Sequence, residues 1–230
     1  MREIVLDTET TGLDPAQGHR VVEIGALELI NHIPSGRSFH ACVNPERPVP
    51  PEAEAVHGLG NAFLKDKPVF AAVAEDFLGF IADAALVIHN AGFDLGFLNA
   101  ELGYLGKPPI PGDRVIDTLA LARQKHPMGP NSLDALCKRY GIDNSKRTRH
   151  GALLDSELLA DVYLELIGGR QTALTLATTV IARPVISTQV RLGLTRPQSL
   201  PSRLSEEERA AHGRFVDGLG SGALWKKPAD

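Results

Sequence analysis

The sequence predicts an α/β fold built on one mixed sheet, and three observations lead there. Ile4-Val5-Leu6 is a short, mostly β-branched apolar run of the kind buried on both faces of a sheet. Two more strand-like runs follow through a turn-forming link, which suits antiparallel neighbours. From about residue 68 onward, apolar strands alternate with helical periodicity, which completes a mixed α/β pattern.

Taken in order, the first strand runs into Asp7-Thr8-Glu9-Thr10-Thr11-Gly12-Leu13, and Gly12-Leu13-Asp14-Pro15 turns the chain. Val21–Ile30 and Arg37–Val43 read as the next two strands of a meander, with Asn31–Gly36 as the link because it holds Pro34 and Gly36. Pro45, Pro48, Pro50 and Pro51 break the pattern, leaving Glu52–His57 and Asn61–Leu64 as short helical turns. Pro68 suits the first turn of a helix running to about Asp83, with Phe70, Val73, Phe77, Phe80 and Ile81 at helical spacing. Ala84–Ile88 is a second buried strand; His89-Asn90-Ala91-Gly92 then leads into a helix from about Phe93 to Tyr104. Val115–Asp117 ends a short strand, and helices follow at about Thr118–Lys125, Ser132–Tyr140 and Ala152–Leu166.

A chain of 230 residues is one domain with a tail. It holds no apolar run long enough to span a membrane, and a strand starting near residue 3 leaves no room for a signal peptide. Cys42 and Cys137 are far apart and lack metal-ligand neighbours, so they read as buried free thiols in a reducing, cytoplasmic compartment. The net charge of −4 hides an asymmetry: residues 1–167 hold 15 Lys/Arg and 23 Asp/Glu, whereas residues 168–230 hold 9 basic and 5 acidic residues. An acidic folded part and a basic tail suggest separate duties.

Asp7 and Glu9 are spaced i, i+2, which puts both carboxylates on one face of the first strand. Held together they repel each other and lose hydration, a conflict that a divalent cation removes. Asp155 has Leu158, Leu159 and Val162 at i+3, i+4 and i+7, so it belongs to an apolar helix face and points inward. Asp94, with Phe97 and Leu98, repeats the arrangement. One inward acid alone is as well read as a cap or half of a buried ion pair; four on separate elements point to a shared cation. His150 precedes Asp155 by five residues, too many for one helical face, so it belongs to the loop before that helix, after the basic run Lys146-Arg147-Thr148-Arg149. A lone loop histidine usually means nothing; beside carboxylates it is a candidate general base.

Together these residues resemble the proofreading DEDD exonucleases, the subgroup with a histidine in the last motif, and among them those of bacterial replicative polymerases. Asp7-Thr8-Glu9-Thr10-Thr11-Gly12-Leu13 looks like the first motif, His89-Asn90-Ala91-Gly92-Phe93-Asp94 the second and His150-Gly151-Ala152-Leu153-Leu154-Asp155 the third. Val56-His57-Gly58, Ser132–Cys137 and Asp143–Thr148 support it, over residues 2–176. The resemblance implies an RNase H-like fold, with a central mixed five-stranded sheet flanked by helices, followed by a C-terminal tail. It implies 3′→5′ hydrolysis of DNA with two Mg²⁺ or Mn²⁺ ions. Asp7 would bridge both ions, Glu9 and Asp155 would complete one site, and Asp94 would hold the second ion or act through water. His150 would take the proton from the attacking water. Thr10, Thr11, Gly12 and Leu13 would contact the terminal nucleotide, and His57 and Phe93 are further substrate contacts whose plain alternatives are helix capping and core packing.

The acidic charge of residues 1–167 offers little phosphate neutralisation, so such a domain should need a tether at the primer end. The resemblance divides the chain into an exonuclease domain (1–170), a clamp-binding peptide and flexible linker (171–204) and a polymerase-binding segment (205–230). Gln171, Thr172, Leu174 and Leu176 fall in the stretch similar to a sliding-clamp-binding peptide. Ser205 followed by Glu206, Glu207 and Glu208 reads as a helix start, and Phe215, Leu219, Leu224 and Trp225 offer apolar anchors; the resemblance implies that this end docks on the DNA polymerase III alpha subunit. A small theta-like subunit is a further implied partner, and the bacterial replisome the implied location. Three other readings compete. An RNase trimming RNA 3′ ends shares the motifs but would end near the third one. A polymerase-stabilising scaffold would not need an intact set of acids. An Asp-x-Asp phosphatase would need Asp where Glu9 stands.

Overall fold

The computed structural model describes residues 1–168 and 204–220. Strands β1 (Arg2–Thr10), β2 (Val21–Ile30), β3 (Ile33–Cys42), β4 (Ala85–Ile88) and β5 (Val115–Asp117) form one sheet in the order β3-β2-β1-β4-β5. The β1–β2 and β2–β3 pairs are antiparallel, whereas β1–β4 and β4–β5 are parallel. The mixed five-stranded sheet expected from the sequence is therefore present, with β1 at its centre.

Alternation along β1 explains the layers on either side. Ile4 and Leu6 point into a core with α3 (Phe70–Ile81) and α4 (Ala91–Tyr104), through Phe70, Phe77, Ile81, Phe97 and Leu98. Val5 points the other way, into a core with α5 (Thr118–Lys125), α6 (Leu133–Tyr140) and α7 (Ala152–Leu166), through Ala122, Leu136, Leu158, Leu159 and Val162. Both faces of β1 are thus dry, as its apolar run requires.

The link between β2 and β3 corrects the sequence reading. The turn is only Asn31-His32, both at positive φ (51° and 66°), as a tight hairpin turn demands. Pro34 and Gly36 lie inside β3, not in a loop. β3 is an edge strand, where a residue without an N–H is tolerated, and its ladder with β2 is irregular between Leu27 and Leu29. Cys137 is buried as expected, but Cys42, at the end of this edge strand, is only partly covered; both are free thiols.

The helices start close to where the sequence placed them. The Glu52–His57 turn is α1 (Pro51–His57), and α2 (Asn61–Leu64) is as expected. α3 begins at Phe70 rather than Pro68, and α4 at Ala91 rather than Phe93, preceded by Asn90 at φ 64°. Helix ends fray over one or two residues, which accounts for both shifts. Asp117 and Ser132 cap α5 and α6 through their side chains. In the second described segment, α8 (Glu206–Gly218) starts at Ser205 with a complete capping box to Glu208. The anchors Phe215 and Leu219 are exposed on or just after it. Leu224, Trp225 and the clamp-type residues Gln171, Thr172, Leu174 and Leu176 lie outside the described residues. No described helix is long and apolar enough to cross a membrane.

Candidate active site

The parallel ladder between β1 and β4 ends at Val5↔Val87, but β1 continues to Thr10 beside β2. This overhang at the carboxyl ends of parallel strands is where α/β sheets commonly place ligands. The Thr8 N–H and hydroxyl, past the end of the parallel ladder, both donate to Asp94 Oδ1, at 3.0 and 2.6 Å. Asp94 is 3 % exposed and stands in the first turn of α4, so the start of that helix is fastened to the overhang.

Asp7 and Glu9 follow Val5 on the face that α7 covers. Asp7 is paired with Gly25 and Glu9 with Glu23 across the β1–β2 ladder. Gly25 is needed here: a Cβ on it would lie 2.2 Å from the Ala152 carbonyl carbon and the Leu153 nitrogen. The first turn of α7 therefore rests directly on the backbone of β2. Two hydrogen bonds fix it there, Ala152 N–H to Glu23 Oε2 at 3.0 Å and Ser156 Oγ to the Gly25 carbonyl at 3.0 Å. This brings Asp155, 3 % exposed, beside the two acids of β1.

His150 lies in the loop before α7, as expected, with its N–H donating to the Val56 carbonyl at 3.1 Å. Its half-exposed ring places Nδ1 3.4 Å from Asp155 Oδ2. Ligand-type atoms of Glu9, His150 and Asp155 all lie within 4.8 Å of one another. Arg147 joins the group from the same loop. Its guanidinium donates to Asp155 Oδ1 and Oδ2, each at 2.6 Å, and to Asp134 Oδ2 at 2.8 Å. It is also 2.8 Å from His150 Nδ1.

Charge crowding is the dominant electrostatic feature. Desolvation, and then the charges of Asp94, Glu9 and Asp155, push the Asp7 carboxyl well above its ordinary value, with Arg147 opposing. Glu9 is pushed up to about 8 by desolvation first, then by Asp155, Glu23 and Asp94. Desolvation raises Asp94 to about 7 against the hydrogen bonds from Thr8. Like charges held in a dry site do this, and perturbed acids of this kind cluster where chemistry is done.

Two cavities flank the acids. One of about 580 Å³ is lined by Thr8 to Asp14 together with His57 and Phe93, so of the expected substrate contacts Glu9, Thr10, Thr11, Gly12, Leu13, His57 and Phe93 border it, whereas Asp7 and Asp155 border the other. Their side chains differ in availability. Thr11 is fully buried, and its hydroxyl accepts from the Arg20 N–H at 3.0 Å; Thr10 Oγ1 donates to the Gly12 carbonyl at 2.6 Å. Leu13 is 85 % exposed. His57 closes α1 by accepting from the Leu59 N–H at 3.0 Å, so the capping role is real, and burial lowers its pKa. Phe93 packs on Phe97 with ring centroids 5.0 Å apart while it also lines the cavity. The second cavity, about 620 Å³, runs from Asp7, His150 and Asp155 to His89, Arg123 and Asn131.

Four contacts escaped the sequence reading. Thr8 as the Asp94 partner lay inside the first motif, but its role needs the strand overhang to be known. Arg147 was visible only as part of a basic run. Glu23 could have been flagged as an acid within the apolar run Val21–Ile30. Arg20, which pairs with buried Glu101 through two bonds of 2.7 Å and so ties the loop after β1 to α4, gave no local signal.

The sequence profile of the RNase T family, described as "Exonuclease", matches residues 4–163. A DNA polymerase III subunit epsilon of Rickettsia felis is 47 % identical over 222 residues, covering 95 % of this chain and 97 % of that protein. Those of Salmonella typhimurium and Escherichia coli K12 are 49 % and 45 % identical, covering 98 % of this chain and 97 % of each relative. Among solved structures, exonuclease X in complex with 5′-overhanging duplex DNA matches with a TM-score of 0.56 at 28 % identity. The nuclease domain of 3′hExo, a DEDDh family member, matches with 0.64 at 17 % identity, a likeness of fold. Each covers 73 % of this chain and 92 % of the other.

Proposed function

The chain belongs to the RNase T exonuclease family, and from that membership we propose how its own residues carry out the 3′→5′ proofreading hydrolysis of the DNA polymerase III epsilon subunits it resembles. The observation that carries the reading is the meeting of Asp7, Glu9, Asp94 and Asp155 at the β1 overhang, with His150 beside them and a cavity on either side. The family is generally metal-dependent, and these residues fit metal: the acids supply an all-oxygen donor set, and their raised pKa values report the positive charge they want. Asp7, Glu9 and Asp155 would hold two divalent cations, Mg²⁺ or Mn²⁺, with Asp94 completing the second site directly or through water. When bound, the cations activate the attacking water and neutralise charge on the phosphate and leaving oxygen.

The chain's own residues do the rest. Asp94 keeps Oδ1 occupied by Thr8, so Oδ2 would be the oxygen that takes a cation or its water. His150, in its neutral form, takes the proton of the attacking water. Arg147 orients Asp155 through two hydrogen bonds, and its contact with His150 Nδ1 has to open before that nitrogen's lone pair can take the proton. The cavity lined by Thr10 to Leu13, His57 and Phe93 receives the terminal nucleotide, with backbone and apolar surface supplying the contacts where hydroxyls are already engaged. We further assign residues 1–170 to the exonuclease domain, 171–204 to clamp contact and linkage, and 205–230 to the DNA polymerase III alpha subunit. The exposed Phe215 and Leu219 support that last assignment. A labelled primer with a mispaired 3′ end tests the core reading. Mg²⁺- or Mn²⁺-dependent loss of single 3′ nucleotides by wild type, abolished in Asp7→Asn, is expected; metal-independent digestion would overturn it.

A further inference from the structure

A second group of ligand-type side chains meets on the outer half of the sheet. Glu23 of β2 is paired with Cys42 of β3, and His40 is paired with Gly25, so all three project from one face at neighbouring positions. A Glu23 oxygen, a His40 ring nitrogen and the Cys42 sulfur lie within 4.8 Å of one another. His40 Nε2 is 2.6 Å from Glu23 Oε1, while Glu23 Oε2 is held by the Ala152 N–H. A plain ion pair would account for the first of these distances, but it gives no reason for a thiol as the third member.

We propose that Glu23, His40 and Cys42 form a binding site for one thiophilic divalent cation of the Zn²⁺ class. Sulfur, nitrogen and oxygen donors are the set Zn²⁺ takes, and three protein ligands leave a fourth position for water. The same set is unsuited to Mg²⁺ and Mn²⁺, which prefer oxygen alone, so the two clusters would sort cations by hardness. Zinc distances of about 2.0 Å to nitrogen and about 2.3 Å to sulfur put ligand atoms roughly 3.5 Å apart, so the His40–Glu23 pair, at 2.6 Å, must open by about 1 Å while the sulfur, already within 4.8 Å of both, settles on the ion. The adjustment falls on His40, which stands on the edge strand with its side chain 43 % exposed, while Cys42 is held by packing against Val22, Val49 and Leu64. The Ala152 N–H fixes one Glu23 oxygen and leaves the other for the cation, the usual way in which a ligating carboxylate is oriented. Ala152 also opens α7, three residues before Asp155, so occupancy would be felt at the acids. That last link rests on the exonuclease reading; the binding does not.

Cobalt(II) is the probe, because a cobalt–thiolate bond adds a charge-transfer absorption that carboxylate and imidazole ligands do not. The full chain is titrated as wild type, Asp155→Asn, Cys137→Ala, Cys42→Ser and His40→Ala, with circular dichroism confirming that each is folded. With Mg²⁺ saturating the acids, one equivalent should saturate the thiolate band in the first three. The band should vanish in Cys42→Ser, and affinity should fall at least about tenfold in His40→Ala. Absence of the band in wild type, or its survival in Cys42→Ser, overturns the site. Zn²⁺ at one equivalent, with Mg²⁺ saturating, should then slow primer digestion by wild type but not by Cys42→Ser. Equal slowing of both would remove the link to α7 while the cobalt result stands, and no Mg²⁺-dependent digestion at all would strike the exonuclease reading alone.

Discussion

Crowding the acids has a measurable cost when no cation is present. A carboxyl whose pKa is raised in the folded state contributes stability in full below its unfolded value, and loses it as pH rises through the folded value. For Glu9 the window runs from 4.5 to about 8, and for Asp94 from 3.8 to about 7. At about 1.4 kcal/mol per pH unit, Glu9 accounts for roughly 5 kcal/mol and Asp94 for roughly 4. The two share repulsions, so the joint loss is nearer half the sum, about 4–5 kcal/mol. About 3.4 kcal/mol of this falls between pH 5 and pH 8, so at ~2–4 °C per kcal/mol for a domain of this size Tm in EDTA should fall by about 7–14 °C over that range. Saturating Mg²⁺ should remove most of that fall. Asp7→Asn deletes one of the repelling charges, so in EDTA it should melt several degrees above wild type at pH 8 and close to it at pH 5. Differential scanning fluorimetry across pH 4–9 reads all three. A wild-type minus variant difference that does not change with pH would refute the reasoning, whatever other groups do to the absolute curves.

Three further outcomes are expected. His150→Ala should lose about 10²–10⁴-fold in kcat, the usual worth of a general base, with an unchanged Mg²⁺ dependence; a rate restored simply by raising Mg²⁺ would make His150 a ligand instead. Arg147→Met leaves buried Asp155 without its partner, so unfolding in EDTA at neutral pH should cost about 3–5 kcal/mol less, and Mg²⁺ should restore much of this; unchanged denaturation would show that the pair contributes nothing. In the tail, Gln171→Ala, Leu174→Ala and Leu176→Ala combined should weaken clamp capture in pull-downs, whereas deletion of 205–230 should release the alpha subunit. Neither change should alter hydrolysis of a short single strand, and loss of both partners from either one would end the division of labour.

The site was legible where chemistry follows chain spacing. The i, i+2 acids of β1 and the inward faces of Asp94 and Asp155 needed only strand and helix periods to be read, whereas their meeting at one site was implied by the family resemblance. His150 was placed in its loop by the same arithmetic. The hairpin was misread because Pro34 and Gly36 signal a break only in a strand paired on both sides, and edge position is a property of the assembled sheet. Thr8 and Arg147 gave no signal of their partners, and Glu23 only that of an acid in an apolar run, for a related reason. Each acts on a residue far from it in sequence or in another element, and polar residues carry no periodic signal that names a distant partner. The two threonines of the first motif show the reverse: their identity was noticed, but it serves the loop's own hydrogen bonds as much as the cavity.

The glycine contact between β2 and α7 separates two kinds of damage that are easily confused. Asp155 owes its depth to main chain lying on main chain at Gly25, not to the side chains farther along α7. Truncating Leu159 or Val162 should therefore thin the population of folded molecules while each survivor keeps its full turnover. A side chain at position 25 would do the opposite, leaving a folded majority whose every member is slow. Titrating active molecules alongside total protein would tell a mutator strain that makes too little proofreader from one that makes a poor one.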